Sequence, residues 1–263
     1  MQTQDDRAWA WPVLTPLIIV QLWAAHAVAF FAHEYAHAVV AWALGWKNNP
    51  FAIDYAKPSI AVFLIQLGIN QSVDEGPIFA AGRAADVAMI GVAGSLLGNA
   101  LLTYPLSRLG YHRARKHNRR GWAMFAFWIT TASIGNFIDY VPIRTFTGGL
   151  GDMGSLEKGF GWSPWIVLVV LGIPILMATL HFFLKIVPAT VTWLFPNSPR
   201  LRLGVAFLAV FVVLGFYGAA GLLDGGPTSH KLSLVSVFVA LPLMMGVEFL
   251  LLRRPLGAEE MLS

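Results

Sequence analysis

Two histidines and a glutamate interrupt an apolar run near the start of the chain. Residues 31–46 read FAHEYAHAVVAWALGW and contain His33, Glu34 and His37. On a helix, residues four apart lie on one face about one turn apart, so the two imidazoles can point at one metal ion. Glu34 lies roughly 100° round the helix from His33, where it can reach water at the metal and act as a general base. The spacing therefore predicts a zinc site of the HExxH type.

The setting of this motif favours a functional role. Ionisable side chains are costly inside a bilayer, and those found there usually pair with one another or mark a functional site. The competing interpretation is a chance match, in which His33 and His37 hydrogen-bond to backbone groups or to neighbouring helices. The chain has no cysteine, so a metal would have to be held by histidine, carboxylate or carbonyl groups.

A zinc site with two histidines needs a third protein ligand and an open position for water. Residues 131–154 read TASIGNFIDYVPIRTFTGGLGDMG and supply Asp139 and Asp152. At about 1.5 Å per residue, Asp139 lies ~27 Å along a helix beginning near residue 121, and His33 lies ~24–30 Å along the first helix. Depth thus favours Asp139, whereas Asp152 requires the glycine-rich residues before it to fold back towards the helix end. Both carboxylates are candidate ligands on these grounds.

The composition indicates which elements carry these residues. The 263-residue chain is 57% hydrophobic and 12% charged, a balance typical of an integral membrane protein. Spanning the bilayer takes about 20 apolar residues in a helix, and six segments are long enough: 13–45, 84–107, 121–142, 164–190, 202–223 and 232–252. We therefore predict an all-α polytopic membrane protein with about six transmembrane helices. The more polar segment 47–82, broken by Pro58, predicts a small β or re-entrant segment after the first span.

Much of the net charge of +4 lies in one short segment, YHRARKHNRR at 111–120. Because this segment lies between two apolar runs, we interpret it as a cytoplasmic loop and not as a nucleic-acid site. Two further basic stretches, 185–202 and the C-terminal tail, fall on the same side if there are six spans. We therefore predict a multi-pass protein of the bacterial cytoplasmic membrane, with both termini cytoplasmic and the histidines in the outer part of the bilayer.

Three motifs in order along the chain resemble the site-2 protease family of membrane-embedded zinc metallopeptidases. They are HEYAHAVVAWALGW at 33–46, GVAGSLLGNALL at 91–102, and GNFIDYVPI at 135–143 followed by GDMG at 151–154. The resemblance covers about residues 17–155 and implies a metallopeptidase-like core in 1–155. It implies a HExxH helix, a glycine-rich second helix and a third helix that ends before a ligand aspartate. Residues 156–263 would add three further transmembrane helices, which carry no matching motif.

The resemblance also implies roles for individual residues. By the order of the motifs Asp152 is the third ligand. Asp139 could then orient a histidine, or it could be an interfacial aspartate that pairs with Arg144. Asn99 and Asn136 would hydrogen-bond the substrate backbone or an oxyanion, although hydrogen bonding between helices explains them equally well. The chain departs from the family in that Pro142 comes six residues after Asn136, and in that Asp152 stands in Gly-Asp-Met-Gly in place of Asp-Gly.

Together these features predict an enzyme that uses Zn²⁺ to hydrolyse peptide bonds of membrane protein or peptide substrates, within the lipid bilayer or at its edge. A substrate helix would first have to unwind, and pairing with residues 47–70 would hold the extended backbone. Two alternatives stay open: a zinc-dependent hydrolase of lipid or another amide, and a non-enzymatic metal-binding membrane protein. No nucleic-acid partner is expected. His26 is predicted to be an interhelical residue, and His181 and Glu248 packing or interfacial residues.

Overall fold

The chain folds almost entirely into helices. The computed structural model describes residues 11–149 and 151–253. In chain order the helices are α1 (Trp11–Ala43), α2 (Ile60–Ile65), α3 (Gly76–Ala80), α4 (Ala84–Lys116), α5 (Arg120–Tyr140), α6 (Gly151–Phe160), α7 (Pro164–Leu194), α8 (Pro199–Leu223) and α9 (Pro227–Leu252). Five of them, α1, α4, α7, α8 and α9, are long and apolar enough to cross a membrane. The prediction of an all-α polytopic membrane protein is confirmed.

The remaining predicted span, residues 121–142, forms the buried central helix α5. Most of its residues are enclosed by other helices, and two of its hydroxyls bond across to α4. The Thr130 hydroxyl lies 2.8 Å from that of Ser107, and the Ser133 hydroxyl lies 2.8 Å from that of Thr103. Because these polar groups face protein and not lipid, α5 tolerates a composition that a lipid-facing span does not. This explains why it lies outside the group of five apolar helices.

Helices α1 and α5 run in the same direction. At one end Gln21 Nε2 donates to the carbonyl of Gly121 at 3.1 Å, and at the other end the ring of His33 stacks on that of Tyr140 with centroids 4.4 Å apart. The histidines therefore lie far from the basic segment, as the depth counts along the two helices predict. Most of that basic segment is helical and not a loop, because α4 continues to Lys116. Cations in the last turn of a helix are favoured by its dipole.

The segment after α1 is a hairpin and not a sheet. Among the described residues it makes one antiparallel bridge, between Asp54 and Asn70, and no strand. Between these residues the chain forms the short helix α2, whose first turn is capped by Ser59. The Ser59 hydroxyl accepts a hydrogen bond from the Val62 amide at 3.1 Å. The short apolar runs of this segment thus become a helical tip.

The hairpin packs along α1, and its tip points towards the start of that helix. Near the bridge, the Tyr55 hydroxyl lies 2.8 Å from that of Tyr35, and at the tip Trp23 Nε1 donates to the carbonyl of Phe63 at 2.8 Å. Trp23 precedes Tyr35 by twelve residues, which corresponds to ~18 Å along a helix. The tip therefore lies beside the middle of a membrane-spanning helix, so the segment matches the re-entrant form of the prediction.

The tip is also tied to a second span. His26 Nε2 donates to the carbonyl of Ile65 at 3.3 Å, and Nδ1 accepts from the Tyr217 hydroxyl at 2.6 Å. His26 thus joins the hairpin, α1 and α8, which is the interhelical role predicted for it. Backbone carbonyls at membrane depth need such partners because lipid offers none. The outer face of the hairpin is exposed and apolar, as its side chains show: Phe51, Ile60, Phe63, Leu64 and Leu67.

Of the last three spans, α7 and α8 pack against α5, and α9 packs against α7 and α8. An aromatic contact marks the interface of α5 with α7, where the rings of Phe127 and Phe182 stack with centroids 6.0 Å apart. Much of α7 and α9 faces outward, whereas about half of α8 is buried in the protein. Helix α6 crosses the predicted boundary at residue 155, so the element that carries Asp152 continues to Phe160.

Candidate metal centre

The two histidines of α1 face the interior of the protein. Both are 1% exposed, and their Nε2 atoms lie 3.0 Å apart. This closeness follows from the helical spacing of four residues, which stacks the side chains one turn apart on a single face. The HExxH segment thus delivers two nitrogen atoms to one point about three-quarters of the way along α1.

A carboxylate from α6 meets these nitrogens. Asp152 Oδ2 lies 2.8 Å from His33 Nε2 and 3.1 Å from His37 Nε2. Ligand atoms of the three residues all lie within 4.8 Å of one another, a grouping that could hold a metal ion. Burial raises the pKa of Asp152, but the neighbouring histidines more than offset this and hold the pKa well below its usual range. Asp152 is therefore a carboxylate at physiological pH.

The far nitrogen of each imidazole is engaged by a hydrogen-bond acceptor. His33 Nδ1 lies 3.0 Å from Asn99 Oδ1, and the Asn99 Nδ2 donates to the carbonyl of Ala29 at 3.0 Å. His37 Nδ1 lies 2.5 Å from the carbonyl of Ile90. Since an amide oxygen and a carbonyl can only accept, both Nδ1 atoms carry the hydrogen, and in the neutral rings both Nε2 atoms present lone pairs.

Three lone-pair atoms therefore face one another in a buried space. Without a positive charge between them, the two Nε2 atoms and Asp152 Oδ2 repel each other, and burial strengthens that repulsion. A proton or a metal cation removes it. In a tetrahedral zinc site with bonds of about 2.0–2.1 Å, ligand atoms lie about 3.3 Å apart, which is close to the observed separations of 2.8, 3.0 and 3.1 Å. The observed separations are a few tenths of an ångström shorter than this value, and the three residues form a group that could hold a metal ion.

Glycines on α4 let its backbone approach this group. A Cβ added at Gly94 would lie 2.3 Å from His37 Nε2 and 2.4 Å from His33 Nε2. One at Gly98 would lie 2.5 Å from the carbonyl of Ala32, and one at Gly91 would lie 2.7 Å from the carbonyl of Asp152. The small-residue pattern that predicted close helix packing thus has a specific use here, because a side chain at Gly94 would occupy the ligand space itself.

Glu34 lies beside the three ligands but outside their group. Its side chain is buried, and its Oε2 atom has no hydrogen-bond partner among the described residues. The backbone of Gln71 lies next to its carboxylate. Lys47 Nζ in turn donates to the carbonyls of Gln71 and Ser72, at 3.0 and 3.1 Å. The loop that contains Gln71 and Ser72 therefore lies over Glu34, and Lys47, which follows α1, holds it in place. A carboxylate oxygen left free next to a metal site is suited to proton transfer.

Asp139 does not join the group among the described residues. Its Oδ1 accepts a hydrogen bond from Arg144 Nε at 2.7 Å. Tyr140, the next residue, faces the site and stacks on His33 with the two ring planes 17° apart. Counting residues along the helices correctly placed this part of α5 at the depth of His33. Neighbouring residues on a helix point about 100° apart, however, so the count does not give the direction of a side chain. The alternatives of a ligand or a histidine-orienting role for Asp139 are therefore not supported, and Asn99 orients His33 instead.

The two asparagines contact helices in this structure. Asn99 is fully buried, and both ends of its amide are used by His33 and Ala29. Asn136 Nδ2 donates to the carbonyl of Ala132, one turn earlier on the same helix. The geometry therefore favours hydrogen bonding between helices for Asn99. The Asn136 amide bonds within its own helix.

A polar cavity of about 250 Å³ opens next to the ligands. Its lining combines the ligand Asp152 with residues of the loops, of α4 and of α6: Gln71, Glu75, Ile90, Gly91, Gly149, Gly151, Ser155 and Lys158. A second cavity, of about 420 Å³, is almost wholly apolar and lies between α1, α4 and α5. The polar cavity therefore connects the candidate site to the loops outside the helical bundle.

Comparison of the chain with family models, with curated proteins and with solved structures found no match. The assignment of function accordingly depends on the geometry of the site and on the motifs described above.

Proposed function

We propose that this protein is a membrane-embedded metallopeptidase in which His33, His37 and Asp152 hold a divalent cation, with zinc the first choice. One observation carries the proposal. Three buried atoms that present lone pairs converge within 3.1 Å, while acceptors behind both imidazoles keep the hydrogens on the opposite nitrogens. Two histidines, one carboxylate and no thiolate form a donor set that suits zinc.

The chain's own residues would divide the chemistry between them. When bound, the cation supplies Lewis acidity, which polarises a substrate carbonyl and makes water nucleophilic near neutral pH. Glu34 takes the proton of the attacking water and returns it to the leaving amine. The Gln71 backbone lies beside the Glu34 carboxylate, and Asn99 holds the imidazole of His33 in the required tautomer.

A peptide is the substrate class that the surroundings favour. The cavity beside Asp152 is lined by polar and charged groups, including Glu75 and Lys158, and suits an amide backbone better than an acyl chain. Residues 47–70 are predicted to pair with an extended substrate backbone. Among the described residues this segment makes one isolated bridge, between Asp54 and Asn70. We retain the pairing hypothesis in the narrower form that an unwound peptide lies against the loop near Asn70.

The class proposed is that of the site-2 proteases, in a divergent form. Three elements contribute to the site in the order that the resemblance implies: the HExxH helix α1, the glycine-rich helix α4, and the segment after α5 that carries Asp152. We further propose the bacterial cytoplasmic membrane as its location, with cytoplasmic termini and with the site near the outer face, on the basis of the lysines and arginines between the spans.

The test combines metal analysis with a cleavage assay. Purified wild-type protein should contain one zinc ion per chain, and the protein in liposomes should cleave members of a library of transmembrane and juxtamembrane peptides, with products identified by mass spectrometry. Glu34→Gln should retain zinc and lose turnover, because only the proton-transfer group is removed.

The alternatives predict different results in the same experiment. A lipid amidase would release fatty acid or amine from lipid amides and leave the peptides intact, although Glu34→Gln would inactivate it too. A metal carrier would bind zinc and show no turnover in either form. Wild-type protein without stoichiometric metal would refute the metallopeptidase proposal outright.

A further inference from the structure

A single side chain links the loop over Glu34 to the helix that carries Asp152. The Ser155 hydroxyl donates to Glu75 Oε1 at 2.5 Å. Ser155 is buried and Glu75 is half-buried, so water screens this bond only partly. Hydrogen bonds to a charged acceptor are about twice as strong as those between neutral groups. The bond therefore joins the two segments firmly.

The position of Ser155 connects this bond to the candidate metal site. Ser155 follows Asp152 by three residues, so both side chains lie on one face of α6 about one turn apart. That face is seated on α4 at Gly91, where an added Cβ would lie 2.7 Å from the carbonyl of Asp152 and 2.8 Å from Ser155 Cβ. Ser155 and Asp152 are thus packed against the same point of α4, so a displacement of Ser155 would also displace the first turn of α6.

The approach to α6 is rich in glycine, and it is held by residues of α6 itself. Gly149 packs closely against Gly154, and the Ser155 hydroxyl also lies 3.2 Å from the Gly151 carbonyl. Gly148, Gly149 and Gly151 all adopt positive φ, at 72°, 82° and 68°, a conformation that glycine reaches without strain and leaves as easily. Asp152 follows immediately, in the first turn of the helix. The carboxylate must therefore be fixed by contacts made further along α6.

We propose that Glu75 is a positioning residue that acts through Ser155 to hold Asp152 against His33 and His37. The inference builds on the metal centre proposed above. Glu75 and Gln71 belong to the same short loop, so one element lies beside the carboxylate of Glu34 and also holds the third ligand. Glu75 itself lies at the mouth of the cavity and makes no contact with the three ligand atoms in the described structure.

A second explanation is that Glu75 attracts the cation by its negative charge alone. Glu75→Gln separates the two, because glutamine keeps a side-chain oxygen that accepts from Ser155 but carries no charge. Glu157→Ala is the matched control, since Glu157 also lies on α6 and its Oε1 has no hydrogen-bond partner.

The experiment measures zinc affinity of the full-length protein in detergent by competition with a chelator, together with the visible spectrum of the Co²⁺ form. We expect Glu75→Ala and Ser155→Ala each to weaken zinc binding by about tenfold, at the low end for residues that support metal ligands. Both should also alter the Co²⁺ spectrum, and the double variant should be no weaker than either single one. Glu75→Gln should lose clearly less affinity than Glu75→Ala, because its neutral oxygen still accepts from Ser155 but more weakly, and Glu157→Ala should resemble the wild type.

The outcomes separate this inference from the proposal on which it builds. Equal losses for Glu75→Gln and Glu75→Ala would overturn positioning in favour of charge, and an unchanged affinity in Ser155→Ala would overturn it as well. If Asp152→Ala weakens binding while Glu75→Ala does not, the metal centre stands and the positioning role falls. If the wild type binds no zinc, both fall. Thermal unfolding of each variant verifies that a loss of affinity does not result from misfolding.

Discussion

The parts of the molecule before and after residue 160 differ in what their buried polar residues contact. In α1, α4 and α5 the buried histidines, asparagine and hydroxyls are bonded to one another or to backbone groups, and many of these bonds converge on the candidate metal centre. In α7 and α9 the side chains are mostly apolar and many face outward. The second part also contains buried hydroxyls, and those of Ser233 and Ser236 on α9 bond to backbone groups of α8. Glu248 on α9 is fully buried, and neither of its carboxylate oxygens has a hydrogen-bond partner among the described residues.

This contrast indicates a division of labour. Polar groups at membrane depth are costly, so a region that contains many of them in a bonded network has a use for them. The buried hydroxyls of the second part lie outside the candidate metal centre, and most of its other side chains face outward or pack in the core. The first part is therefore expected to carry the chemistry, and the second to support α5 and hold the protein in the bilayer. Matched substitutions in the two parts can break or sharpen this division.

The largest difference is expected between two histidines. His37→Ala removes one of three candidate ligands and should weaken zinc binding roughly a thousandfold, as measured by metal content and chelator competition. His181→Ala makes the same change at an exposed position of α7 and should leave binding unchanged. Equal losses in both variants would mean that the metal is not held at the site described.

Two glycines provide the next comparison. Gly94→Ala places a methyl group 2.3–2.4 Å from both Nε2 atoms, so it should abolish zinc binding and destabilise the fold by about 1–3 kcal/mol through overpacking. Gly246→Ala on α9 meets no atom within 4 Å and should be neutral or slightly stabilising. Thermal unfolding with and without zinc distinguishes the two effects. Retention of zinc by Gly94→Ala would contradict the close approach of α4.

Two asparagines test the hydrogen-bond network within the first part. Asn99→Ala frees His33 to adopt the other tautomer and should weaken zinc binding by about 10–100-fold. Asn136→Ala removes a bond to Ala132 of its own helix and should change zinc affinity little. If Asn136→Ala left zinc binding intact but raised KM for a peptide, the substrate role implied by the family resemblance would regain support.

The smallest effect is expected at Glu248. Glu248→Leu removes a buried carboxylate without partners and should stabilise the protein by about 1–3 kcal/mol, with unchanged zinc affinity. Unfolding in a mixed-detergent titration measures the change. A stable Glu248→Leu variant that binds zinc but has lost activity would show that the second part also takes part in function, and would end the simple division.

Local geometry explains why part of the site could be predicted from sequence. The i, i+4 spacing of His33 and His37 fixes their common face on any α-helix, so their convergence required no knowledge of the fold. Asp152 emerged from motif order, whereas counting residues along the helices pointed to Asp139. Such a count gives the level of a residue but not its direction, and at that level Tyr140 faces His33 while Asp139 faces Arg144.

Contacts between distant segments could not be predicted. Asn99 meets His33 across 66 residues of sequence, and Ser155 meets Glu75 across 80; both depend on the register of packed helices, which a single sequence does not contain. The hairpin after α1 was predicted only as two alternatives. Its apolar runs are compatible with strands, but Ser59 caps a helical turn and Trp23 and His26 bind its carbonyls, which favours the re-entrant form.

The missing side chain at Gly94 has a further consequence for the direction of approach. The α4 backbone abuts the back of the imidazole pair so closely that no reactant can pass on that side. Asn99 and Ile90 occupy the other flank of the rings. Under the metallopeptidase proposal, a scissile bond would therefore arrive through the polar cavity beside Asp152, and a segment leaving the bilayer would bend over the loop before cleavage.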